Sequence, residues 1–474
     1  MKIFFIIPPN IHYIEPYAYV EADKSNAIRP SLGLLYVAAA VKDIPGVDIR
    51  IIDMNIDEIS METLEKLIAE ESPDIVGFSV LTFNLLNCME VCKIVRKAST
   101  QAKICFGGWH PTLYPEETLA FGFVDYIVIG EGELTFKELV SLYLDGSGIT
   151  EEKLSAVNGL GYKTSEGEIV INPPRPVVKK LDDLPLPAYD LVDPTKYSHL
   201  LACTDQVVNI MTSRGCPQGC VFCDLRRSPY RYRTPGNILE EIRFWVNKGV
   251  REFFIQDDNF TINRKRTIEF CNLLKDADLN ITYKISSRVD YIDDELSEHL
   301  KRSGCYRIYF GVESGSQRIL DYLEKGIKTQ DIRKAFRSAQ KFGIDCCAYI
   351  MIGVPSETKD DIDMTMDLIK EIRPRHLHCS ICTPMPKTYL YNRLMEDGTI
   401  EHDYWLDFAK KPDPSFRTSF ASKLYSAEEL RDMQNAIQRQ FYFNPGIIFH
   451  EILRTRGLKQ FFAKFQMALR MLFH

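Results

Sequence analysis

Short apolar runs alternate with amphipathic stretches along most of this chain, and they do so in two separate blocks. No other feature constrains the fold as tightly. Strands that alternate with helices belong to a parallel sheet with helices packed on its faces. In the first block, residues 1–145, the pattern predicts strands at Lys2–Ile7, Val47–Ile52, Ile75–Ser79, Lys103–Phe106 and Asp125–Ile129. Helices are expected at Leu32–Lys42, Met61–Glu70, Leu85–Lys97 and Pro115–Phe121. The expected class is α/β, with this block forming a doubly wound sheet. Ligands of such sheets bind beyond the carboxyl ends of the strands. Those ends carry Pro8-Pro9-Asn10, Ser79-Val80-Leu81-Thr82, Gly107-Gly108-Trp109-His110 and Gly130-Glu131-Gly132-Glu133.

Residues 146–200 change texture, with a small hairpin expected near Leu160–Ile171 and then a proline-rich linker. The second block, residues 201–385, predicts strands at Val207–Thr212, Glu252–Ile255, Tyr283–Ser286, Arg307–Val312, Asp345–Ile352 and Leu377–Cys382. Helices are expected at Asn237–Asn247, Arg264–Ala277, Asp294–Ser303, Ser316–Leu323, Gln330–Phe342 and Lys359–Ile372. Six such units imply a partial (β/α)6 barrel with its site at the C-terminal ends of the strands. Residues 386–474 read as a helical C-terminal region.

Composition closes off other classes. Of 474 residues, 45% are hydrophobic and 26% charged, enough for packed cores, while a net charge of −7 argues against a nucleic-acid partner. Thirteen cysteines, an odd number without a secretory signal, point to reduced thiols. The opening apolar run, stopped by Pro8-Pro9, is too short for a signal peptide, and no apolar stretch nears the roughly 18 residues of a membrane span. A cytoplasmic protein is expected.

The sharpest chemical feature is Ser213-Arg214-Gly215-Cys216-Pro217-Gln218-Gly219-Cys220-Val221-Phe222-Cys223, a C-x3-C-x2-C loop directly after the first barrel strand. Zinc normally takes four ligands. Three thiolates instead suit a cubane iron–sulfur cluster with one iron left open. The loop resembles the signature of the radical S-adenosylmethionine (SAM) superfamily. That resemblance implies a 4Fe–4S cluster on Cys216, Cys220 and Cys223, whose open iron chelates SAM, and reductive cleavage of SAM to a 5′-deoxyadenosyl radical. It further implies that the backbone at Phe222 meets the adenine and that Asp257, Asp258 and Asn259 receive the SAM amino group. Which aspartate acts is left open, because the family's more common Gly-Gly-Glu is missing here. By the same resemblance Ser287 and Arg288 bind the SAM carboxylate, Glu313 and Ser314 the ribose, and Gly353 lies on the adenine side. A carboxylate for an ammonium and an arginine for a carboxylate are also chemically sensible in their own right.

The first block narrows the class. Arg29-Pro30-Ser31-Leu32-Gly33-Leu34-Leu35-Tyr36, Gly107-Gly108-Trp109-His110-Pro111-Thr112 and Gly130-Glu131-Gly132-Glu133 resemble the subgroup with a Rossmann-like cobalamin-binding domain. That subgroup includes the class B methyltransferases and the anaerobic oxidative cyclase of chlorophyll synthesis. The resemblance implies cobalamin lined by Ser79, Leu81, Thr82, Gly107, Gly108, Gly130, Glu131 and Gly132. The D-x-H-x-x-G source of an axial histidine is missing, so no such ligand is expected. His110 has two readings, one facing the corrinoid or substrate and one bonding its own turn.

Cys379 and Cys382, like Cys346, Cys347, Cys88 and Cys92, read as core. Lys387 stands where a related Pro-x-Pro-Gly-Thr segment has glycine. The stretch 446–474, basic and rich in Phe and Leu, either docks on the barrel, the preferred placement, or makes peripheral membrane contact with anionic lipid. The implied function is methyl transfer to an unactivated carbon of a small molecule, with a lean toward a hydrophobic one, one SAM methylating cobalamin and another giving the radical. The alternative is ring formation, rearrangement or oxidation without methyl transfer. The expected electron donor is a flavodoxin or ferredoxin. Methylthio-transfer to RNA fits poorly, and so does a structural metal in a non-catalytic module.

Overall fold

The computed structural model describes residues 1–12, 14, 30–193, 196–197, 204, 206–448, 455, 462 and 464–465. Arg29 and most of 446–474 lie outside the described residues. The chain divides into two compact units, Met1–Glu15, Pro30–Tyr197 and His402–Arg417 in the first, Pro16–Arg29, Ser198–Glu401 and Thr418–His474 in the second.

In the first unit, parallel strands β1 (Lys2–Ile7), β2 (Asp48–Asp53), β3 (Ile75–Ser79), β4 (Lys103–Gly107) and β5 (Tyr126–Val128) are extended by antiparallel β6 (Leu160–Lys163) and β7 (Ile169–Ile171). The order is β2-β1-β3-β4-β5-β6-β7. Strand alternation builds two cores. Phe4, Ile6, Val76, Phe78, Ile104 and Phe106 face one side with Leu64, Ile68, Val91 and Val95 of helices Met61–Glu71 and Leu85–Ala98. Ile3, Phe5, Ile75, Cys105 and Val128 face the other with Leu34, Ala38, Phe136, Leu139 and Val140 of helices Leu32–Val41 and Gly132–Leu144. The sheet is therefore doubly wound, as expected.

Three expectations need correction. The hairpin is not part of a connector but completes this sheet, because β6 pairs with β5 at Val128↔Leu160. Residues 130–133 do not form a free loop, since helix Gly132–Leu144 begins inside them. The C-terminal region is not wholly separate either. Residues 402–417 return to the first unit, where Phe408 joins the core and Phe416 packs against it with ring centroids 4.5 Å apart. Trp405, fully buried, meets Phe83 and Phe416. Burying these aromatic rings is what ties the segment down.

In the second unit, β8 (Val207–Ile210) leads into a small antiparallel pair, β9 (Ser213–Arg214) and β10 (Arg231–Tyr232). Then follow β11 (Glu252–Ile255), β12 (Thr282–Ser287), β13 (Cys305–Glu313), β14 (Asp345–Ile352) and β15 (His376–Ile381). The six long strands are parallel in the sequential order β8-β11-β12-β13-β14-β15, and β15 is not paired with β8. This is a partial barrel. Helix Ala427–Tyr442 covers its open β15 edge, where Tyr442 Oη donates to Leu377 O (2.9 Å) and Gln434 Nε2 donates to Cys379 O (2.7 Å). Among the described residues, no helix is long and apolar enough to cross a membrane.

Candidate active site

The three-cysteine loop leaves the end of β8 and returns as β10. Gly215 has φ +82°, and a Cβ there would stand 2.3 Å from Pro229 O, so only glycine fits the start of the loop. Cys216 N–H donates to Ser228 Oγ (2.8 Å), and Arg227 N–H donates to Gln218 O (2.8 Å). Arg226 Nε donates to Gly219 O (2.8 Å) while its other end pairs with Glu324 (2.6 Å). Val221, fully buried, donates to Leu323 O (3.1 Å) and accepts from Leu390 N–H (2.8 Å). The loop is thus fastened at several points, with half-buried Phe222 between Val221 and Cys223.

Burial pushes the Cys216 thiol up and the Cys223 thiol to about 12, so these thiolates form only beside bound iron. Among the described residues no three His, Cys, Asp or Glu side chains converge on one metal ion. Three thiols suit a cubane, in which each thiolate takes a different iron.

The strand ends around the loop sort the expected SAM residues. Asp257 is fully engaged: Oδ1 accepts from Thr212 N–H (2.6 Å) and Ser213 N–H (3.0 Å), and Oδ2 from Thr212 Oγ1 (2.5 Å) and Ser213 Oγ (2.6 Å). Its lone pairs are spent bracing the entry to the loop, so it does not receive an ammonium. Asp258 is exposed beside the loop, its carboxyl raised to about 6 by surrounding protein and by the charges of Asp257 and Asp224. Asn259 is buried, and its Nδ2 has no hydrogen-bond partner, an orphaned donor waiting for an acceptor.

Arg288 forms a two-point pair with Asp290 (3.0 and 2.9 Å), and its Nη1 lies 3.9 Å from Cys220 Sγ. Asp290 takes one N–H each of Nε and Nη2, and Nη1 faces the cluster loop at Cys220 Sγ. Ser287 bonds Thr261 Oγ1 (2.6 Å) and Arg288 O (2.9 Å), and Ser314 bonds Thr365 Oγ1 (3.1 Å) and Ser316 N–H (3.1 Å). Both hydroxyls knit the strand ends instead of facing a ligand.

Glu313, at φ +62°, gives Oε1 to Lys325 (2.7 Å), whose Nζ lies 5.9 Å from the Phe222 ring centroid. That leaves Oε2 for a diol. Gly353 has φ +75°, and a Cβ there would meet Leu430 at 3.0 Å. Its N–H donates to Glu357 Oε2 (2.6 Å). The buried Glu357 was not singled out from sequence as a site residue.

In the first unit, β1 has β2 on one side and β3 on the other, and the crevice of such a sheet opens at the C-terminal ends of those strands. Ile11, Leu81 and Trp109 stand exposed in the loops after β1, β3 and β4, at 60%, 36% and 39% of their full accessibility. Gly108 has φ +96°, and a Cβ there would sit 2.9 Å from Val80 O. The half-buried Ser79 and Gly107 end the adjacent strands, and Gly130 faces open space. Gly130, with open space beside it, and the three exposed apolar side chains give these strand ends a face that fits a corrinoid, while Gly108 is required by the close approach of its own loop to Val80.

His110 and Thr82 do not line this face. Both are buried and bond each other (Nδ1···Oγ1 3.1 Å), and His110, driven down to about 3 by burial, stays neutral. Neither reading of His110 is met as stated, since its ring bonds Thr82 of the loop after β3 and not its own turn. Glu131 accepts from Val178 N–H (3.3 Å), and a Cβ on Gly132 would press Val128 and Val37 at 3.3 Å, so Gly132 serves helix packing. The six cysteines read as core are all buried. Trp109 and Ile11 were missed as crevice residues, although an aromatic beside Gly-Gly at a strand end was a usable signal.

A model of the radical SAM superfamily matches residues 210–369, and one of the B12 binding domain matches residues 22–140. An uncharacterized methyltransferase of Pyrococcus horikoshii is 31% identical over 464 residues, covering 96% of each chain. The anaerobic magnesium-protoporphyrin IX monomethyl ester cyclase of Rubrivivax gelatinosus is 26% identical over 91% of this chain and 77% of its own. In fold, the chain resembles the cobalamin-dependent SAM radical enzyme OxsB, with TM-score 0.73 at 17% identity, over 100% of this chain and 71% of that one. OxsB is described with aqua-cobalamin and SAM bound. The chain belongs to the cobalamin-dependent radical SAM methyltransferase family.

Proposed function

We propose that this enzyme moves a methyl group from SAM to an unactivated carbon of a small molecule. The observation that carries the reading is the pairing, in one chain, of a fastened three-thiol loop with an open, apolar-rimmed strand-end face at Gly130, Leu81 and Trp109, in a protein aligned almost end to end with an uncharacterized methyltransferase. When bound, the cluster supplies the electron that cleaves SAM to a carbon radical, and the corrinoid supplies a carrier for the methyl group.

The chain's own residues hold and orient these groups. Cys216, Cys220 and Cys223 ligate the irons, and Arg288 at Cys220 Sγ offsets the charge of the thiolates. Asp258 accepts from the SAM ammonium, Asn259 Nδ2 donates to its carboxylate, and Glu313 Oε2 accepts from the ribose. The backbone at Phe222 and Gly353 flanks the adenine. Leu81 and Trp109 rest against the corrinoid, and Gly130 lets it approach the backbone. His110, turned inward, does not offer cobalt a ligand.

A flavodoxin or ferredoxin supplies the electron. Contact with anionic lipid through residues 446–474 is tested by vesicle co-sedimentation, which must fall when that segment is deleted. The methyl-transfer reading is tested by incubating reduced, cofactor-loaded enzyme with candidate substrates. S-adenosylhomocysteine formed alongside 5′-deoxyadenosine supports it. 5′-Deoxyadenosine alone favours the second reading, ring formation or oxidation without methyl transfer, which the 91% coverage by the cyclase brings into view.

A further inference from the structure

One face of the barrel sheet is sealed and the other is not. On β14, Cys346, Ala348, Ile350 and Ile352 are fully buried beneath helices. On the opposite face Asp345 and Cys347 are buried, yet Tyr349 is 37% exposed and Met351 half-buried. A central strand of a parallel sheet is normally closed on both faces. An exposed tyrosine in its middle therefore marks an open lumen. On β15, His376 is buried while His378 and Ser380 are half-buried, and Ser286 and Tyr309 on the neighbouring strands are half-buried too. The lumen is closed deep along the strands and opens toward their C-terminal ends, the end that carries the cluster loop.

What lines the open part is chemically narrow. The Tyr309 and Tyr349 rings stack, with centroids 5.8 Å apart and an interplanar angle of 18°. His378 meets Tyr349 edge-on at 5.2 Å, and Phe254 extends the row against Tyr309 at 5.8 Å. Ser286, Met351 and Ser380 complete it, and none of these residues carries a fixed charge. The charges lie at the Phe254 end of the row, where the fully buried Lys284 brings Nζ to 5.2 Å from the Phe254 ring centroid and Arg307 pairs with Asp345 at 3.6 Å.

We propose that this lumen holds a flat, uncharged, conjugated ring system of the substrate, received by the Tyr309–Tyr349 stack and the edge of His378. The assignment deepens the methyl-transfer reading by naming the substrate class, and rests on it. Aromatic faces recognise planar π-systems and discriminate poorly among saturated ones, and among the described residues Ser286, Met351 and Ser380 flank the tyrosine stack, with the Lys284 ammonium at the Phe254 end of the row.

The test uses cluster-loaded, full-length protein under anaerobic conditions, with 2-naphthol and decahydro-2-naphthol as paired probes in equilibrium dialysis. The planar probe is expected to bind more tightly than the saturated one. Tyr349→Leu should weaken 2-naphthol binding by about 3- to 10-fold, while Tyr349→Phe, which keeps the ring, should retain it. Equal affinity for the two probes would overturn the assignment, as would a Tyr349→Leu protein, folded by circular dichroism, that binds 2-naphthol as before. The methyl-transfer reading stands or falls separately, on S-adenosylhomocysteine formation by the wild-type enzyme.

Discussion

Asp257 and Asp258 are adjacent in sequence, and the structure gives them different work. Asp257 takes hydrogen bonds from two backbone N–H groups and two hydroxyls of Thr212 and Ser213, and Thr212 Oγ1 also accepts from buried Arg266 (2.5 Å). Asp257→Ala leaves two buried amides without partners. At 1–3 kcal/mol each, with part of the hydroxyl bonding lost as well, the cost is about 3–5 kcal/mol. Asp257→Asn keeps one oxygen for the amides and forces the hydroxyls to reverse, costing about 1–2 kcal/mol. Asp258 is exposed and its charge is opposed by Asp257 and Asp224, so Asp258→Asn should change stability by no more than about 0.5 kcal/mol. Its loss should instead weaken SAM binding by roughly 10- to 100-fold, the worth of a charge-assisted hydrogen bond to an ammonium. Urea unfolding of each variant, paired with SAM affinity of the cluster-loaded protein, reads both effects. The reasoning is refuted if Asp257→Asn unfolds like wild type but loses SAM, while Asp258→Asn binds SAM normally.

Three further outcomes follow from single positions. Gly108→Ala, with a Cβ 2.9 Å from Val80 O at φ +96°, should cost about 1–3 kcal/mol and lower cobalt bound per chain while iron content holds; unchanged cobalt would remove Gly108 from the crevice. Burial raises the Glu357 carboxyl to about 7 from its ordinary 4.5, against two backbone N–H bonds from Gly353 and Val354 that lower it. The folded state holds this proton more tightly than the unfolded chain, so the stabilisation is full below about pH 4.5 and is lost as pH rises through 7, by up to about 3 kcal/mol. Glu357→Gln should flatten that slope in urea melts taken across the window, and a slope that persists would point to another group. Lys387 occupies left-handed backbone at φ +57°, so Lys387→Gly should stabilise by about 0.5–1 kcal/mol; a loss of stability would mean its side chain matters more than the strain.

The regular elements were legible because each depends on its own residues. Strands Ile75–Ser79, Glu252–Ile255 and Asp345–Ile352 and helices Arg264–Ala277 and Lys359–Ile372 fall where periodicity places them. Lys387 at a glycine position was legible too, and its positive φ confirms the departure. What escaped depends on distant partners. Nothing local says that Leu160–Lys163 pairs with β5, or that Trp405, Phe408 and Phe416 return to the first unit. Helix Gly132–Leu144 was hidden by the Gly-Glu-Gly at its start.

In the site, the residue types at the strand ends were the expected ones, but their availability was not. Asp257 reads as a ligand-binding group until Thr212 and Ser213 are seen to occupy it. The lumen carried a usable signal on β15, where His376, His378 and Ser380 fall at period two in a strand that should be wholly apolar.

The most direct test of the whole account is to count iron and cobalt on one anaerobically reconstituted sample and record its visible spectrum. The account predicts roughly four irons with roughly one cobalt per chain and a corrinoid spectrum. Four irons without cobalt would contradict it, leaving the first unit's crevice without its ligand and methyl transfer by way of cobalamin without a carrier.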